Sequence, residues 1–122
     1  MKRSLVIALL TALAVPSPRQ NHPELDWQTL ETAHFRILFH QGLEEAAART
    51  AEVAEAAYEP VTELYRYEPA DKVRIVLKDY DDYANGAAFF YHDTIEIWTT
   101  ALDHDFELRG TSDWLSNVVT HE

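Results

Sequence analysis

The sequence contains no cysteine, which excludes a disulfide framework, a thiolate metal site, a cysteine nucleophile and a lipidated N-terminal cysteine. It is also poor in positive charge. Ten Lys and Arg stand against twenty-one Asp and Glu, for a formal net charge of −11. The ten are scattered from Lys2 to Arg109 and form no stripe that could follow phosphates, so no nucleic-acid partner is expected. Long apolar runs are missing too. The longest, Leu5 to Val15, has eleven residues interrupted only by Thr11, whereas a helix needs about twenty to cross a bilayer. No membrane span is expected. There is no Gly-rich phosphate loop and no G-x-S-x-G elbow. What remains is enough for a core: 122 residues, 47% of them hydrophobic, fit one small domain or part of a larger one and are poorly described as disordered.

The amino terminus has the layout of an address. Met1-Lys2-Arg3, the short apolar run and then Pro16-Ser17-Pro18 follow the order of a Sec-type signal peptide, with Ala12-Leu13-Ala14 as a small-x-small cleavage site. The competing reading is a buried N-terminal helix. We expect residues 1–20 to be signal peptide and linker, residues 21–122 to form the domain, and the product to be periplasmic or extracellular.

Strands and helices then alternate. Phe35, Ile37 and Phe39 share one face at period two, and Val73, Ile75 and Leu77 do the same, predicting two strands. Asp26 to Leu30 is read only as a lead-in to the first. Between the strands, Leu43, Ala46, Ala47, Ala54, Ala57, Tyr58, Val61, Leu64 and Tyr65 fall on one helical stripe opposite a run of Glu. That predicts a helix of about six turns, which Pro60 should kink or divide. Ala87 to Tyr91 and Thr94 to Thr100 flank His92-Asp93 and predict a hairpin. Asp103 to Gly110 reads as a polar connection. Thr111-Ser112-Asp113 offers N-cap oxygens to a last helix whose apolar face is Trp114, Leu115, Val118 and Val119. The sequence stops at Thr120-His121-Glu122, partway through that helix, and we read it as a fragment. Trp114 and Val118 are then expected to be partly uncovered.

Few residues invite chemistry. In H-E-x-x-H on a helix, two His one turn apart bind Zn²⁺ and the Glu between them takes the proton of the metal-bound water. His121-Glu122 supplies the first half of that motif. His34 and His40 share a strand face but lie about 20 Å apart, and no His pair has helical i,i+4 spacing. Asp79, Asp81 and Asp82 lack the Gly and distal Glu of an EF-hand and read as a solvated acidic turn. The aromatic run from Tyr80 to Tyr91 suits core and edge packing better than a binding groove.

The order strand, helix, strand, hairpin and His-Glu helix resembles the N-terminal half of gluzincin-type zinc metallopeptidases, with the thermolysin-like, peptidase MA fold. The stretch from His34 to Glu122 is most similar to a bacterial subgroup that carries this domain after a signal peptide and ahead of TolB-like β-propeller repeats. The resemblance implies an α+β fold. A twisted mixed sheet packs on a long helix, and the chain enters the first turns of a zincin active-site helix, an incomplete domain. It implies that His121 is the first zinc ligand and Glu122 the general base. It further implies that Asn85, Gly86, Ala87, Ala88 and Phe89 are the cleft-edge strand along which a peptide or protein substrate would bind. The second His would fall at position 125, and the third ligand, a Glu, farther on. A missing C-terminal subdomain and a possible β-propeller complete the expectation, and the fragment itself should be inactive. The alternative function class is a non-catalytic exported docking module built on a similar α/β layer.

Overall fold

A computed structural model describes residues 22–81, 83–100 and 113–122. The leader and linker expected over residues 1–20, Asp82, the connection from Asp103 to Gly110, and the cap candidates Thr111 and Ser112 lie outside the described residues.

The period-two segments form strands where expected. β2 (Phe35–His40) buries Phe35, Ile37 and Phe39, and β3 (Val73–Lys78) buries Ile75 and Leu77. A further strand, β1 (Trp27–Glu31), precedes them and pairs antiparallel with β2, Trp27 opposite His40 and Glu31 opposite Arg36. A three-residue turn closes this hairpin. The Thr32 amide donates to the Phe35 carbonyl at 3.0 Å, and the Phe35 amide donates back to Thr32 Oγ1 at 3.1 Å. Glu31 adds ion pairs to Arg36 at 2.8 Å and Lys72 at 3.1 Å.

Gly42, at φ +88, turns the chain out of β2 into α1 (Glu44–Tyr65). Glu44 and Glu45 sit in its first turn, where the helix dipole favours negative charge. Arg66, at φ 53, ends it in the left-handed conformation. Pro60 does not divide the helix. The ring removes the hydrogen bond to the Ala56 carbonyl, but Ala56 and Pro60 are both exposed, so water reaches the freed oxygen. α1 supplies the crossover that lets β3 lie parallel to β2.

β4 (Gly86–Phe89) and β5 (Thr94–Trp98) form the expected antiparallel hairpin. Phe90 and Tyr91, read as part of its first strand, instead lie in the turn and are exposed; Asp93 takes the left-handed φ of 46 that the turn requires. β5 pairs parallel with β3. The five-stranded mixed sheet therefore runs β1-β2-β3-β5-β4, with β4 at one edge. α2 (Trp114–His121) follows and is capped by Asp113, whose Oδ1 accepts the Ser116 amide at 3.0 Å. The fold is α+β.

Both helices pack on one face of the sheet. Ala47 and Ala54 of α1 share one buried cluster with Phe35, Ile37, Ile75, Leu77 and Ile97, which Val118 and Val119 of α2 complete. Val118 is thus buried, contrary to the expectation that it would be partly uncovered. The uncovered apolar surface lies instead on the last turns of α1, where Leu64 is 75% and Tyr65 73% exposed. The cause is length: α1 has 22 residues and α2 has 8, so nothing among the described residues covers the far end of α1. No helix among the described residues is long and apolar enough to cross a membrane.

Candidate active site

β4 is held to β5 by a ladder whose phase sets what the edge presents. The Trp98 amide donates to the Asn85 carbonyl at 3.0 Å. Pairing then alternates along the hairpin, Ala87 opposite Glu96 and Phe89 opposite Thr94. In an antiparallel ladder, hydrogen-bonded pairs occur at every second residue. Asn85, Ala87 and Phe89 therefore turn their backbone groups inward to β5, and Gly86 and Ala88 turn theirs outward, to the side where no other described strand lies.

α2 is fixed over this hairpin from both ends. At its start the Trp114 indole donates to the Trp98 carbonyl at 2.8 Å, and Arg49 Nη2 of α1 lies 3.3 Å from Asp113 Oδ2. The Ser116 hydroxyl and amide, helped by Arg49, hold the Asp113 carboxyl below its ordinary range, so the cap stays ionised. At its end Val118 and Val119 are buried, and the Glu122 amide donates to the Val118 carbonyl at 3.1 Å, continuing the helical turn.

This anchoring brings the two halves of the candidate site together. Gly86 and Ala88 point their α-carbon substituents toward the helices, since they pair with the inward-facing Ile97 and Ile95. A Cβ built on Gly86 would lie 2.6 Å from Glu122 Oε1 and 2.9 Å from Glu122 Cγ. The Glu122 side chain therefore rests directly on the first residue of the edge strand. Asn85 is exposed, and its side-chain amide donates to the Tyr83 hydroxyl at 3.1 Å. Ala87 and Phe89 are half-buried and Ala88 is exposed. His121 is exposed, one residue round the helix from Glu122. His121 and Glu122 also border an apolar groove of about 540 Å³ lined by Phe35, Tyr58, Val61 and Ile95.

The described residues fit a zinc ion only in part. His121 supplies one imidazole, and among the described residues no three His, Asp or Glu side chains are grouped so as to hold a metal. The acidic turn is no exception. Asp79 accepts the Thr100 hydroxyl, and Asp81 accepts the Trp98 indole N–H at 2.8 Å, so both carboxylates tie down the end of the sheet.

Sequence reasoning missed the role of Val118, whose Cγ2 would lie 2.5 Å from the same added Cβ on Gly86. It also missed the Trp114–Trp98 bond. The signal available was a glycine at the mouth of a strand, a common mark of close approach by another element. Compared with family models, with curated proteins and with solved structures, the chain has no match.

Proposed function

We propose that this chain is the amino-terminal part of an exported zinc metallopeptidase of gluzincin type. In it His121 is a zinc ligand, Glu122 the general base, and Asn85 to Phe89 the strand beside which a peptide substrate lies. One observation carries the reading: the Glu122 side chain rests on Gly86, 36 residues away in sequence, at an edge of the sheet that no other described strand occupies. A peptide hydrolase needs its base beside an extended backbone, and a free strand edge is the simplest template for one. The outward-facing amide and carbonyl of Gly86 and Ala88 would pair with the substrate and fix its register against Glu122. Glu122 would then accept a proton from the attacking water and return it to the departing amide nitrogen. Zinc, held by His121 and by donors downstream of Glu122, would supply Lewis acidity to the carbonyl and the water. A downstream subdomain and a β-propeller belong to the same proposal.

The test is made on the full-length protein. The residue three beyond Glu122 is expected to be His, zinc to bind at one equivalent, and casein hydrolysis to be abolished by chelation. Glu122→Gln should keep the zinc and lose about 10³-fold or more in kcat. Hydrolysis that survives chelation, or a residue other than His at that position, would sink the proposal.

A second reading, a non-catalytic docking module, draws on the groove and on exposed Leu64, Tyr65 and Tyr67. A full-length protein that binds no zinc and cleaves nothing would favour it.

A further inference from the structure

We propose that Gly86 is a positioning residue: the space left by its missing side chain is the seat that holds the Glu122 carboxylate against the outward-facing backbone of the edge strand. The proposal rests on the metallopeptidase reading of Glu122 and adds to it what sets the base in place.

The two glycines among the described residues differ in why they are glycine. Gly42 has a φ of +88 with nothing within 4 Å of an added Cβ, so its requirement is conformational. Gly86 has no positive φ. Its requirement is space alone, because three atoms crowd the added Cβ at 2.5, 2.6 and 2.9 Å. In a strand, glycine costs backbone entropy and forgoes cross-strand packing, so an ordinary edge position would favour Val or Thr. The space is used by the side chains of Val118 in α2 and of Glu122, just past its end.

These two would respond differently to an added methyl. Val118 is buried and branched at Cβ, so it gives way only by changing rotamer or by shifting α2. Glu122 is half-buried at the end of the helix, on a flexible stem, and gives way by swinging out. An Ala at position 86 thus displaces the carboxylate first, away from the Gly86 amide and carbonyl that would hold the substrate backbone. A misplacement of about 1 Å at a reacting group costs on the order of 100-fold in rate.

The experiment compares full-length wild type, Gly86→Ala and Gly86→Ala/Val118→Ala. Zinc alone is measured by equilibrium dialysis, casein hydrolysis by kcat and KM, and stability by the thermal midpoint. Gly86→Ala should keep zinc and KM within about threefold while kcat falls about 100-fold. Adding Val118→Ala should recover the thermal midpoint without recovering kcat. Recovery of kcat by Val118→Ala would overturn the proposal, since the glycine would then serve only to admit the helix. So would a Gly86→Ala enzyme of near wild-type kcat. An inactive, zinc-free wild type removes the peptidase reading and the positioning role together, whereas an active wild type with an equally active Gly86→Ala removes the positioning role alone.

Discussion

At the scale of single residues, the best-defined electrostatic feature lies away from the candidate site, where β2 meets α1. Glu55 Oε1 accepts the His34 amide at 2.9 Å, its Oε2 lies 2.7 Å from His34 Nδ1, and the His34 ring stacks on Tyr58 at 3.7 Å. Burial pushes the Glu55 carboxyl up, but the hydrogen bonds from Thr32 and from the His34 amide and ring outweigh it and hold it at about 2. A carboxyl lowered on folding from 4.5 stabilises the folded state fully above the unfolded value. That contribution is lost as pH falls from about 4.5 toward 2. With 29% of the side chain exposed, solvent screening reduces it to about 1–2 kcal/mol. Glu55→Gln should therefore destabilise the protein by about that amount at pH 7 and flatten the acid limb of its stability curve. Urea unfolding at pH 7 and pH 3 measures both; equal losses at the two pH values would contradict the assignment.

At the scale of elements, legibility followed burial. β2 and β3 have one face in the core, so their apolar residues alternate and the alternation is readable. β1 is exposed except at Leu30 and holds its place through backbone pairing with β2. Pairing leaves no mark on composition, and β1 went unread. Residues Val61, Leu64 and Tyr65 keep the helical period but stay exposed, so period predicted the helix and not its burial. The candidate site was legible in its parts alone. The strand glycine and the His-Glu pair could be picked out, but their contact depends on β5 lying between β3 and β4, an order no local pattern encodes. Pro60 belongs to this scale as well. A proline inside a helix costs about 3 kcal/mol relative to Ala, partly offset because it also restricts the unfolded chain by about 0.4–1 kcal/mol. Pro60→Ala should therefore raise stability by about 2 kcal/mol and lengthen the interval before the end of α1 frays. Thermal unfolding and amide exchange at Val61 to Tyr65 would show it; unchanged exchange there would mean that the last turns are held by something other than the helix itself.

At the scale of the whole molecule, two properties act against each other. Val61, Leu64, Tyr65 and Tyr67 form an exposed apolar surface at one end of the fold, continuous with the groove that His121 and Glu122 border. Surfaces of this kind drive association. The net charge of −11 opposes it, since every encounter between two copies brings like charge together. The balance is set by salt, because the repulsion acts over a screening length of about 30 Å at 0.01 M and about 10 Å at 0.1 M, whereas apolar contact is not screened. A protein comprising the described fold should thus be monomeric at low ionic strength and associate as salt is raised to about 0.5 M, the reverse of an assembly held by ion pairs. Sedimentation velocity at micromolar concentration follows this directly. Leu64→Glu with Tyr65→Glu should keep the protein monomeric throughout, because the pair adds charge where the apolar surface is most exposed. Salt-dependent association that survives the double substitution would move the sticky surface elsewhere, to the exposed Phe90-Tyr91 turn at the hairpin tip.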